Sequence, residues 1–99
     1  MAILRHPAFF NDLDEAYEYL LGESPQSADR LFERVEEVGR LLTQFSHLGR
    51  SRGDVAMGVR SFRVRGFRYL IFYRVEGDDV LLIRMIHGAM DMTSQTFPD

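Results

Sequence analysis

The sequence predicts an α+β fold of order βααβββ, a helical hairpin packed on an antiparallel sheet. Three observations carry this expectation. Apolar residues recur twice at helical spacing between Pro7 and Ser46, and only Gly22–Ser24 separates the two runs. A period of two takes over after Gly58 and holds to His87. The chain has 99 residues, 45% of them apolar and 27% charged, which suits a single domain over 1–99.

Each element has its own local reason. Residues 1–6 hold a short apolar stretch and read as a first strand, and 7–46 read as the helical hairpin. Pro7 fits a first helical turn with His6 as cap, and Leu13, Ala16, Tyr17, Leu20 and Leu21 keep the helical period. Gly22 is the expected stop. Ser24-Pro25 then reads as cap and first residue of a second helix, in which Ala28, Leu31, Phe32, Val35, Val38, Leu41, Leu42 and Phe45 form the apolar face. Ser46–Gly58 breaks the pattern and reads as a loop.

The segment 59–87 reads as a three-stranded antiparallel sheet, with turns at Gly66-Phe67 and Glu76–Asp79. Strict alternation puts Val80, Leu82 and Ile86 on one face of the last strand and Leu81, Ile83 and Met85 on the other. The preceding strand, 68–75, is also apolar on both faces. A helical hairpin covers one face of a sheet, so the other needs the C-terminal tail, a second copy or a partner protein, and a partner is the expectation. Leu20, Leu31, Val35, Leu82 and Ile86 are expected to be structural.

The net charge of −3 divides unevenly. Residues 1–45 carry a net −5, residues 46–75 a net +6, and residues 76–99 a net −4. All 12 basic residues are arginine, so lysine chemistry is excluded, and the absence of cysteine excludes disulfides and thiolate sites. The longest apolar run, Tyr69–Tyr73, is far short of a membrane span, and the N-terminus lacks the order of a signal peptide. A cytoplasmic protein without membrane contact is expected.

Gly53-x-x-x-x-Gly58 lacks the Lys-Ser/Thr of a phosphate loop and follows a helix instead of a strand. Arg52-Gly53-Asp54 is a chance tripeptide. His6, His47 and His87 are scattered, so no metal or cofactor is expected. There is no Gly-x-Ser-x-Gly elbow. What remains is arginine on and around the sheet, with Tyr69, Tyr73 and His87 nearby: guanidinium forks suit carboxylates or phosphates. Arg60 shares strand parity with Phe62 and Val64, so its guanidinium is aimed at the core side and needs partners there.

Several segments together resemble one family. They are Pro7 with Leu13; Phe45-Ser46-His47-Leu48-Gly49-Arg50; Gly58-Val59-Arg60-Ser61; Arg68 through Arg74; and Met85-Ile86-His87-Gly88-Ala89-Met90-Asp91. In that order and spacing the chain resembles ParE-type toxins of the RelE/ParE superfamily of toxin–antitoxin systems. The family usually reads arginine where Met90 stands.

The resemblance implies a βααβββ toxin, a cognate ParD-like antitoxin that wraps it, and DNA gyrase as target. The basic segment Arg50, Arg52, Arg60, Arg63 and Arg65 is then the expected target-binding surface, with no catalytic residue and no sequence-specific nucleic-acid binding by the toxin alone. Antitoxin-binding residues are not distinguished. The alternative is a RelE-like ribosome-dependent mRNA endoribonuclease using Arg60, Arg84 and His87. Missing lysine and Met90 argue against it. A general arginine-rich nucleic-acid binder ranks last, because the strands lack the exposed aromatics of an RNA-recognition module.

Overall fold

Two prolines set both helices. A computed structural model describes residues 2–98, running β1 (Ile3–Arg5), α1 (Pro7–Glu23), α2 (Pro25–Gln44), β2 (Arg50–Ser51), β3 (Arg60–Arg63), β4 (Tyr69–Glu76) and β5 (Asp79–His87). Pro7 and Pro25 each occupy a first helical turn, where a missing N–H breaks no intrahelical bond. His6 caps α1, its Nδ1 accepting from the Ala8 N–H at 3.0 Å. The Ser24 hydroxyl accepts from the Ser27 N–H at the start of α2.

Gly22, expected to end the first helix, lies inside it. The stop is Ser24, extended at φ −164° and ψ 118°, because a residue before proline is driven out of the helical region. The hairpin ends at Gln44, two residues short of the expected boundary. Of the expected strand 1–6, Ile3–Arg5 is paired and Met1 lies outside the described residues.

The sheet has five strands in the order β1-β5-β4-β3-β2. β3, β4 and β5 pair antiparallel as expected, but the sheet is mixed, since β1 lies parallel to β5. Three residues carry too little pattern to announce such a pairing. β2 rises from the stretch read as a loop and pairs with β3 at Arg50–Ser61 and Ser51–Arg60. Gly66 (φ 84°) and Gly77 (φ 60°) make the turns on either side of β4 in left-handed conformations that disfavour other residues.

A bulge changes which residues of β5 face the helices. Phe72 pairs with Arg84 and Tyr73 with Leu82, so Ile83 is an extra residue. Parity inverts beyond it. Val80, Leu82 and Met85 join the helix-side core, while Leu81, Ile83 and Ile86 belong to the opposite face. Simple alternation, which groups Met85 with Ile83 and Ile86 with Leu82, is corrected at this point.

The helix-side core packs Phe9, Leu13, Leu31, Val35 and Leu42 on Ile71, Tyr73 and Leu82. Leu20 is half-buried against it, whereas Phe32, placed on the apolar face by its period, is 49% exposed. The far face holds a second core of Val59, Phe72, Ile83 and Ile86. A partner protein was the expected cover; the chain itself supplies one, with Val55 and Ala56 from the loop and Met92 and Phe97 from the tail packed on this core. Phe97 meets Phe72 edge-on with centroids 5.0 Å apart, and Arg84 and Arg74 hold the tail by the Thr96 and Pro98 carbonyls.

One buried phenol locks the exit of α2. Tyr73 is fully buried, and its hydroxyl donates to the Ser46 carbonyl and accepts from the Gly49 N–H, both at 2.8 Å. Gly49 sits so close that a Cβ would stand 2.6 Å from the Tyr73 ring and 2.8 Å from the Ser61 carbonyl. Burial pushes the Tyr73 phenol above its usual range, with the Gly49 N–H and Arg60 pulling the other way.

Gly49→Ala is expected to destabilise the fold by about 1–3 kcal/mol through overpacking. That should lower Tm by roughly 5 °C or more in a thermal melt. Because folded Tyr73 holds its proton more tightly than the unfolded value of 10.0, the stability it contributes is present below pH 10 and is lost as pH rises beyond. Denaturant titrations at pH 9 and above should therefore show a decline that Tyr73→Phe makes shallower.

Candidate functional site

α2 carries more apolar surface than the sheet uses. Val38 is buried and Leu41 half-buried, and in the following loop Phe45 and Leu48 remain 58% and 47% exposed. Where α2 passes β3, this surplus leaves a groove of about 500 Å³ with Val38, Leu41 and Phe62 as its floor. Arg34, Arg40 and Gln44 form one rim, and Arg63 and Arg65 the other. The acid in the groove wall is Glu37, which binds Arg34 at 2.7 Å.

The five arginines expected to meet a target divide by what holds them. Arg50 is exposed on β2. Arg52 is folded into the protein: it grips Asp54 through two hydrogen bonds, at 3.0 and 3.1 Å, and lies 5.4 Å over the Phe72 ring. The Arg52 hydrogen bonds hold the Asp54 carboxyl below the usual carboxylate range. Arg60 does face the helix side, and its partners are the chain's own backbone. It donates to the Gly49 carbonyl at 2.8 Å and the His47 carbonyl at 3.3 Å. Arg63 and Arg65 are exposed, and neither makes an ion pair among the described residues.

Arg34 and Arg40 were not singled out from sequence, because charges between apolar helix positions read as a solvated face. A signal was present: the apolar period of α2 continues through Leu41 and Phe45, more than one packed face requires.

Arg84 and His87 line one pocket with Asp12, Tyr69 and Met90, while Arg60 stands apart from them on β3. Arg60 pairs with Tyr73 and His87 with Tyr69, four residues away along β4, a separation of about 13 Å at strand spacing. His87 stacks edge-on against Tyr69 at 5.4 Å, and its Nδ1 accepts from the Ala89 N–H. Arg84 is clasped by Asp12 through Nε at 2.6 Å and Nη2 at 3.0 Å. That hydrogen bond, together with the Asp12 charge, raises the guanidinium above its usual range. The same carboxylate accepts the Met85 N–H at 2.9 Å, a donor on the β5 edge beyond the end of β1. Met90 is half exposed in the turn after β5.

Asp12→Ala removes two hydrogen bonds to Arg84 and the acceptor of the Met85 N–H. We expect a loss of about 2–4 kcal/mol in denaturant unfolding, since a part-buried charge and a backbone donor are both orphaned.

Comparison with known proteins agrees with this architecture. Residues 3–92 match the family model described as "ParE toxin of type II toxin-antitoxin system, parDE". Toxin ParE3 of Caulobacter vibrioides is 31% identical over 94 residues, covering 94% of this chain and 92% of that protein. A solved structure described as the chromosomal ParDE TA system from P. aeruginosa superposes with a TM-score of 0.74 at 23% identity, covering 88% of this chain and 95% of that one. The last comparison speaks for the fold, and the first two establish the lineage: this chain belongs to the ParE toxin family of type II toxin–antitoxin systems.

Proposed function

We propose that the protein arrests growth by binding DNA gyrase in the cytoplasm, and that a ParD-like antitoxin neutralises it by covering the α2–β3 groove. The observation that carries this reading is the groove itself. Among the described residues Arg63 and Arg65 make no ion pair, and they flank an apolar floor opposite Arg40 and the Glu37-bound Arg34. Unpaired guanidiniums rimming exposed apolar surface suit an acidic protein partner, since a charge-assisted bond to carboxylate is about twice as strong as a neutral one.

A binding mode of inhibition also agrees with how the remaining arginines are used. Arg52, Arg60 and Arg84 are already engaged by the fold. Phosphorane stabilisation in a ribonuclease needs several cations and an acid–base group converging on one phosphate. Arg60 and His87 stand too far apart along β4 to converge in that way. Neutralisation is steric in this reading: the antitoxin occupies the surface that the target would meet.

Purified toxin is expected to inhibit gyrase supercoiling in vitro and to be relieved by equimolar antitoxin. Unaffected supercoiling, together with discrete cuts within codons of translating mRNA after induction, would instead establish the ribonuclease. The double variant Arg63→Glu/Arg65→Glu should keep the parent's Tm and raise the half-inhibitory concentration at least about tenfold, roughly 1.4 kcal/mol of binding. Arg60→Ala should lower both Tm and potency, because Arg60 also holds the loop after α2.

A further inference from the structure

The helical hairpin has an outer face that the sheet does not use. Phe10, Tyr17 and Leu21 stand seven and four residues apart along α1, a spacing that puts them on one side of the helix. That side looks toward α2: the Tyr17 hydroxyl donates to the Asp29 carboxylate at 3.4 Å. Tyr17, Asp29, Phe32 and Glu33 line a shallow cleft of about 390 Å³ there. Phe10, Leu21 and Phe32 are all exposed, an apolar seam that has no use in the core. Its margins are acidic. Asp14, Asp29 and Glu33 are exposed, and none makes an ion pair among the described residues. The seam is the electrostatic inverse of the α2–β3 groove, where Leu41 and Phe62 lie between Arg40, Arg63 and Arg65. The same inversion runs along the chain, with net −5 over residues 1–45 and net +6 over 46–75.

We propose that free copies of this protein associate head to tail, the acidic seam of one hairpin seated on the basic groove of the next. Tyr17 and Phe32 meet Leu41 and Phe62, while Asp29 and Glu33 meet Arg63 and Arg65. Opposite potentials set the register, and the apolar centres supply the burial. A symmetric pair is disfavoured, because seam on seam sets acids against acids and groove on groove sets arginines against arginines. The two surfaces also lie on opposite sides of α2. Phe32 and Leu41 are nine residues apart, and at about 100° per residue they point away from each other. Each added copy therefore leaves one seam and one groove open, so association extends beyond a pair. This inference goes beyond the reading above and rests only on the shape and charge of the two surfaces, whatever the groove meets in the cell.

Sedimentation velocity on the full purified chain tests it, over a concentration series at two salt levels. At about 0.05 M salt the average sedimentation coefficient is expected to rise with concentration past that of a dimer. At about 0.5 M salt, where exposed charges are screened, it should fall back toward the monomer. Phe32→Arg on the seam and Arg63→Glu/Arg65→Glu on the groove should each weaken association at least about tenfold. Mixed in equal amounts, the two variants should form a one-to-one dimer that grows no further, since each supplies the surface the other lacks. Thermal melts check that the variants fold, and Leu21→Arg serves as a second seam variant if Phe32→Arg does not. A parent chain that stays monomeric at every concentration leaves the seam to a foreign basic protein and overturns the proposal. Association that persists in both variants, or a mixture in which no dimer forms, overturns it as well.

Discussion

The basic edge depends on the hydroxyl of Tyr73. A buried phenol must place its proton and its lone pairs, and here both are used where α2 ends and β2 begins. Ser46 and Gly49 are drawn against the helix-side face of the sheet, and Arg60, on that same face, closes the loop through the His47 and Gly49 carbonyls. Without that clamp residues 46–49 have little to hold them against the sheet, because Leu48 among them is 47% exposed. With it, β2 is short, β3 is left open at Arg63, and α2 lies alongside β3 with a groove between them. The geometry of the candidate site follows from how one buried polar group is satisfied.

A second knot does comparable work at the opposite edge. β1 ends where Pro7 opens α1, so β5 loses its neighbour after Leu82. Asp12, one turn into α1, reaches back to accept the Met85 N–H and to hold Arg84. Arg84 in turn holds the tail at Thr96. A helix, a strand end and the C-terminal strap over the second core are thereby linked through one carboxylate. Arg84 is thereby engaged by the fold on both sides, through Asp12 and the Thr96 carbonyl.

Much of the fold was legible because it rests on local signals. Pro7, Ser24-Pro25, Gly66 and Gly77 mark helix starts and turns by conformational preference alone, and the periods of Leu31–Leu42 and Tyr69–Val75 identify the packed faces. What was not legible depends on long-range pairing. The bulge at Ile83 leaves no trace in composition, yet it exchanges the faces of Met85 and Ile86. β1 is too short to show a period. The tail's cover of the second core rests on Phe97 meeting Phe72 across the sheet, a contact no spacing rule anticipates. At the site, the basic segment was visible as an arginine block, but not its division into engaged Arg52 and Arg60 and, among the described residues, unpaired Arg63 and Arg65; that required knowing where Asp54 and the carbonyls of residues 47 and 49 lie. The other rim, Arg34 and Arg40, comes from a helix distant in sequence.

The central claim is that one surface, the α2–β3 groove, serves both target and antitoxin. Titrating a preformed toxin–gyrase complex with antitoxin, followed by analytical ultracentrifugation, tests it directly. Competition is predicted: antitoxin should displace toxin from gyrase, with no species containing all three proteins. A stable ternary complex of gyrase, toxin and antitoxin would place the two partners on different surfaces and contradict the account.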